Sequence, residues 1–266
     1  MIQITGVSHE QHAGKRWRRF ADYRFAAQTA LVPLAPSELG NAARAMPIAF
    51  IRQNEKYVPV AVMSPTPGNN LFVAPNGRWV GGYTPAVFRA HPFRLVPRND
   101  NSGFILCITD EQRMVVEGSE AEPDTEPFFD EEGKLSAATQ FVLDFLTEFE
   151  RSRSGTEGMM SVLETAGIIK PWQLETHVDG QERVATGLHC IDEAAMRALS
   201  DAEFLTLRRH SALAVAYAQI LSMGHLRVLE QLGRLRAEAA HASSRPVGGQ
   251  APSGLQLADD GELHFE

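Results

Sequence analysis

Residues 47–93 read PIAFIRQNEKYVPVAVMSPTPGNNLFVAPNGRWVGGYTPAVFRAHPF, the densest concentration of special residue types in the chain. Two apolar runs, residues 48–52 and 59–63, flank the polar quartet Gln53-Asn54-Glu55-Lys56, which is the pattern of a β-hairpin. The Pro/Gly-rich SPTPGNN of residues 64–70 reads as a loop. Leu71-Phe72-Val73 and Trp79-Val80 then flank Pro75-Asn76-Gly77, and Asn-Gly favours a tight turn because both residues tolerate positive φ. Pro85 suits the first turn of a short helix, because its missing N–H would be unpaired there anyway.

Outward from this stretch, residues 104–109 form an apolar strand onto which 113–116 can pair back. Ser37 stands at a capping position before a helix over 38–46 that Pro47 stops. Residues 1–20 are polar and basic and are expected to form an irregular arm. Residues 117–132 carry eight acids among sixteen positions and predict a solvated loop that divides the chain into two halves. In the second half Ser136 can cap a helix with Phe141, Phe145 and Phe149 spaced at i, i+4. Thr156 begins a shorter helix ending near Gly167. Asp179-Gly180 turns a hairpin between 172–178 and 181–191, and Ser200-x-x-Glu203 is a capping box. A long helix over 212–240 follows, interrupted at Gly224 and Gly233, and residues 243–266 are expected to be a mobile tail. Antiparallel hairpins in the first half, with helices and one hairpin in the second, predict an α+β fold. Residues 21–242 are expected to make a single domain.

The succession P-I-A-F, P-V-A-V, N-L-F-V, G-R-W and Y-T-P-A-V-F-R-A-H-P-F resembles the SapC family of bacterial proteins. The likeness extends to Asp22–Phe25 with Val32-Pro33-Leu34 and Glu38, to Cys107–Glu111, to Phe129-Asp130 with Gly133, and to Asp192-Glu193, so it covers most of residues 9–230. Each motif is short, and their order and spacing make the match specific. The chain departs from the family at Ala90-His91, where an Arg-Tyr is usual, and at Ser64-Pro65, where a Gly-Leu is usual. The family is named for association with surface-array proteins, so the resemblance implies an accessory role rather than membrane transport.

Composition sets further bounds. A chain of 266 residues is long enough for a sizeable core. A formal charge of −8 opposes non-specific binding to nucleic acid or anionic lipid. No uninterrupted apolar segment of membrane-spanning length is evident, the N-terminus does not read as a secretory signal, and two cysteines make no disulfide framework. The expectation is a soluble cytoplasmic protein with no nucleic-acid partner, no membrane insertion, no cofactor and no metal.

The best polar cluster is Trp79, Tyr83, Arg89 and His91, with Phe93 beside it. In one reading these residues form a pocket for an anionic or peptidic group, Arg offering a planar fork and the aromatic rings flat faces. In the other, Arg89 pairs with a structural carboxylate such as Asp110, while Trp79 and Phe93 are core. An enzymatic alternative gives Arg89 the role of anion clamp and His91 that of acid or base, assisted by Tyr83 or Asp110. His9-Glu10-Gln11-His12 is one residue short of the zinc-protease spacing. Cys107 and Cys190 lie on apolar strands near acids, the setting of inert thiols. Lys15-Arg16-Trp17-Arg18-Arg19 is expected to dock on the acidic segment 117–132. A binding or accessory factor with a peptide or protein partner is the favoured function, and the helix over 212–240 is the expected surface for a homo-oligomer.

Overall fold

The computed structural model describes residues 4–100, 103–109, 114–118, 123–178 and 181–243. Strands are β1 (Ile4–Gly6), β2 (Arg16–Arg18), β3 (Leu31–Pro33), β4 (Ile48–Gln53), β5 (Lys56–Val62), β6 (Phe93–Pro97), β7 (Phe104–Thr109), β8 (Val115–Val116), β9 (Thr125–Pro127), β10 (Ile169–Val178) and β11 (Gln181–Ile191). Helices are α1 (His9–His12), α2 (Leu39–Ala42), α3 (Ala86–Arg89), α4 (Ala137–Thr165), α5 (Glu193–Arg197), α6 (Asp201–Arg209), α7 (Ala212–Ser222) and α8 (Leu226–Ser243). The strands form three antiparallel sheets, ordered β10-β11-β4-β5-β3, β1-β7-β6 and β8-β2-β9. The fold is α+β, as the sequence predicts.

The central hairpin forms where expected. β4 and β5 pair from Ile48↔Ala61 to Gln53↔Lys56, and Asn54 and Glu55 turn the chain at φ 48° and 62°. Two positive φ values match the right-handed twist of the strands they join. The five-stranded sheet packs β5 on α4 and β4 and β11 on α7, with Ile48, Phe50, Val60 and Val62 all buried in the main apolar cluster. A second apolar cluster, built on Trp17, Phe93, Leu106, Ile108, Phe128 and Leu146, sits under the two smaller sheets.

Helix α4 joins the clusters. Its 29 residues, about 43 Å at 1.5 Å per residue, place Leu146 in the second cluster and Met160 and Leu163 in the first. Ser136 caps it, accepting from the Thr139 N–H at 3.2 Å. The expected break near Thr156 does not occur. Gly155 and Gly158 cost about 1 kcal/mol each relative to Ala, but Thr156, Met160 and Leu163 on the buried face hold the helix together. The phenylalanine stripe also divides: Phe149 is buried, Phe145 half-buried and Phe141 73% exposed. Each i, i+4 step overshoots a full turn by about 40°, so two steps carry Phe141 off the buried face.

The N-terminal residues are not an irregular arm. β1 pairs with β7, and β2 pairs with both β8 and β9, with Trp17 buried in the second cluster. The basic run docks on the acidic segment as charge balance suggests: Lys15 meets Glu117 at 2.7 Å and Arg19 meets Glu126 at 2.8 Å. That segment is not all solvated loop, because it supplies β9 and the fully buried Phe128. Val115 and Val116 pair with β2 rather than with β7. Arg113, the Asp179-Gly180 turn and the tail over 244–266 lie outside the described residues.

The C-terminal helix bends once. Gly224 sits in a 3-10 turn, Met223–His225, between α7 and α8, whereas Gly233 is carried inside α8. By length and composition the run Ala212–Ala239 is able to cross a membrane, at mean hydropathy 1.3, although no uninterrupted apolar segment predicts it; 39% of its apolar window is buried. Its inner face, including Val215, Ala216 and Gln219, packs on the five-stranded sheet and on α4. Gln219 accepts from the Ile191 N–H and donates to the Ile48 carbonyl, linking β11 to β4.

Candidate functional site

The predicted cluster separates into two groups. The first centres on Glu38, a carboxylate only 4% exposed. It accepts from the Ala35 N–H at 3.1 Å, the Tyr83 hydroxyl at 2.8 Å and the Ala86 N–H at 2.6 Å. Tyr83 is pushed up to about 12 by burial and by the neighbouring Glu38 charge, so its hydroxyl stays protonated and donates. Arg89 donates to the Tyr83 oxygen at 3.2 Å and to the Thr84 carbonyl at 3.1 Å, and lies 4.8 Å above the Phe145 ring. Trp79 donates its indole N–H to the Tyr83 carbonyl at 3.0 Å and stacks on Phe72. These contacts, with Phe88 edge-on to Trp79, tie α3 to the start of α2 and to Trp79 beyond the Asn76-Gly77 turn. Gly77, at φ 88°, is required there, since a Cβ would fall 2.7 Å from the Asp22 carboxyl carbon.

His91 and Phe93 belong to the second group. The His91 ring stacks on Phe25, centroids 3.7 Å apart and planes 5° from parallel. Phe93 is buried in the second cluster, edge-on to Trp17 at 4.9 Å. Both line a cleft of about 450 Å³ bounded by β3, β6, α3 and α4, with Phe25, Phe88, Leu95, Leu146 and Phe149 as its apolar walls. Arg94, Thr109 and Glu150 supply polar groups. A hollow of about 740 Å³ shares Pro33, Val87, Phe149 and Glu150 with this cleft and continues it toward the β4–β5 turn. Arg94 is exposed and has no ion-pair partner among the described residues, whereas Glu150 is paired with Arg153 at 2.7 Å. Neither Arg94 nor Glu150 stands out in the sequence, because nothing local marks a residue as lining a cleft.

The His91 pKa is pushed down to about 4, chiefly by burial and then by the Arg94 charge, and its Nε2 is buried without a hydrogen-bond partner. Above pH 6.5 the ring is neutral in folded and unfolded chains alike, so it gives stability no pH dependence. Between 6.5 and about 4 the unfolded chain takes up a proton that the folded chain refuses, and stability falls as pH falls. The loss is roughly 2 kcal/mol, the full shift being discounted for partial solvent contact. His91→Phe keeps the stack on Phe25 and is expected to flatten the urea-midpoint profile between pH 6.5 and 4. His12, lowered in the same direction by burial, is common to both proteins. An unchanged profile would show that His91 titrates normally in the folded chain.

Other candidates occupy ordinary structural positions. His12 is buried against Phe128, 3.2 Å from the Ser8 carbonyl, while His9 meets the edge of Phe129. Cys107 and Cys190 are buried, and burial pushes both thiols up. Asp192 caps α5 through the Ala194 and Ala195 N–H groups, and its carboxyl is held below the usual range by these bonds, that from Ala195 foremost. Asp110 and Glu111 lie outside the described residues.

The SapC family model matches residues 7–229, from α1 through to α8. The chain belongs to the SapC family. No curated protein and no solved structure matches it. In this SapC-family chain both groups, the Glu38 knot and the cleft with Arg94, fall within the matched span, as do Ala90 and His91 at the cleft wall.

Proposed function

We propose that this SapC-family protein is a binding or accessory factor, and that the cleft between β3, β6 and α4 receives a peptide segment of a partner protein. The observation that carries this reading is the apolar cleft left open between two sheets, continued toward the β4–β5 turn by a more polar hollow lined by Gln53, Lys56, Arg153 and Glu157. A concave, mostly apolar surface with a few polar groups is the usual form of a binding site. The enzymatic reading is weaker. It needs Arg89 and His91 to converge, yet Arg89 is engaged by Tyr83, Thr84 and Phe145, while His91 lies flat on Phe25 and is neutral at physiological pH.

A second surface fits a second copy of the chain. Along α7 and the 3-10 turn that follows it, Ala214, Tyr217, Leu221 and Gly224 are exposed in an uncharged stripe, beside a hollow rimmed by Glu193, Arg197 and Asp201. A rim carrying both signs of charge can face itself across a two-fold axis.

Site-specific photo-crosslinking in the native host tests both surfaces. Benzoylphenylalanine at Val87, which lines the cleft, is expected to give an adduct with another polypeptide, and at Leu221 an adduct of twice the chain's mass. Phe141, exposed but remote from both, serves as the control. Adducts equally abundant at all three positions, or none at Val87 from folded protein, would overturn the reading of the cleft.

A further inference from the structure

The cleft is approached along strand edges rather than sheet faces. Successive strand residues point to opposite faces, so a hollow that touches three in a row meets the strand at its edge. It touches Leu31, Val32 and Pro33 of β3, and Phe93, Arg94 and Leu95 of β6. Both strands are the last in their sheets. Their registers show which backbone groups face outward. Met63 donates to the Ala30 carbonyl and Leu34 to the Pro59 carbonyl, so by alternation Val32 also bonds toward β5 and Leu31 points its N–H and C=O away. Likewise Thr109 donates to the Pro92 carbonyl and Arg98 to the Gly103 carbonyl, so Arg94 and Val96 bond toward β7 and Leu95 faces outward.

Each edge is sparing with donors. Pro33 and Pro97 have no N–H, and the Phe93 N–H is taken by the Ala90 carbonyl at 2.8 Å. One outward N–H remains on each strand, at Leu31 and at Leu95. Proline on an edge suppresses indiscriminate pairing, so these two short edges are protected except where they flank the hollow.

We propose that the cleft takes an extended polypeptide as an added strand, paired to β6 through the N–H and C=O of Leu95, with an acidic residue of that strand opposite Arg94. This inference rests on the reading of the cleft as a peptide site and names its mode. Main-chain bonds would hold the segment while alternate side chains enter the apolar hollow. Arg94, exposed and without an ion pair among the described residues, stands where a cross-strand neighbour of the added strand would be, and opposite charges stabilise such a pair.

The probe is a phage-displayed library of random 12-residue peptides selected on the full chain. The expected pool alternates apolar residues with period two and carries Asp or Glu, and its best synthetic member binds Arg94→Glu about tenfold more weakly than wild type or worse. N-methylation of the peptide at alternate backbone nitrogens leaves its side chains in place. Methylating one of the two alternating sets is expected to weaken binding at least about tenfold, and methylating the other to leave it unchanged. Leu95→Pro leaves the β6–β7 ladder intact but removes the outward N–H and trims a side chain packed on the second cluster, so it is expected to fold with a somewhat lower melting temperature and to lose the peptide. Peptides with helical i, i+3/i+4 spacing, or binding indifferent to both methylated sets, would overturn the added strand and leave the cleft a peptide site. A library from which nothing is enriched on folded wild type would overturn both.

Discussion

Glu38→Ala is expected to lower stability by about 4 kcal/mol and the melting temperature by roughly 10 °C. The carboxylate accepts three hydrogen bonds in a buried setting, and a bond to a charged group contributes about 1.5–3 kcal/mol. Its removal leaves the Ala35 and Ala86 N–H groups without an acceptor. Tyr83 is only half-buried and finds water, so the total falls short of three full bonds. Glu38→Gln should lie between, since its oxygen still accepts while its NH₂ meets another donor. Urea unfolding of the three proteins checks this, a midpoint shift at constant slope being the expected signature. A shift in Glu38→Ala equivalent to less than about 1 kcal/mol would mean that the α2–α3 junction is held by packing alone.

Trp17→Ala is expected to cost a similar amount, about 4 kcal/mol, by the different route of opening a cavity. The indole is 5% exposed, edge-on to Phe93, and its N–H donates to the Thr139 hydroxyl at 3.0 Å. Truncation empties the centre of the second cluster and removes the donor that fixes Thr139 in the first turn of α4. In an irregular arm the same change would fall within about 0.5 kcal/mol of wild type. Denaturant midpoints therefore separate the two descriptions of residues 4–18, and loss of near-ultraviolet dichroism in the variant would report the disturbed aromatic cluster.

That contrast shows what the sequence holds and what it does not. Features whose energy is local are legible: the Asn54-Glu55 turn, the Asn76-Gly77 turn, the Ser136 cap, and the Ser200/Glu203 box, in which Glu203 returns to the Ser200 N–H at 2.8 Å. The small sheets are not, because β2 is made by partners about a hundred residues away. Arg16 bonds Thr125 across 109 positions, and no window of sequence contains both. Phe128 is hidden by the acids around it, and the glycines of α4 suggest an end that distant packing overrides. The site divides in the same way. Trp79, Tyr83, Arg89, His91 and Phe93 attract attention by residue type, yet three of them knot around Glu38 and two line a cleft. The other cleft walls come from residues 25, 31, 94 and 146, which only the folded chain brings together.

The continuity of α4 has an inherited consequence. The cleft meets this helix at Leu146, Phe149 and Glu150, near its midpoint, while its two ends are anchored in separate apolar clusters. An insertion or deletion of one residue within it would rotate everything downstream by about 100° and shift it by about 1.5 Å, so that one cluster or the other loses its face. Lineages carrying this architecture are therefore free to vary the length of their connecting loops but not the count of residues between Ser136 and Gly167. Descent should be read most securely along that rod.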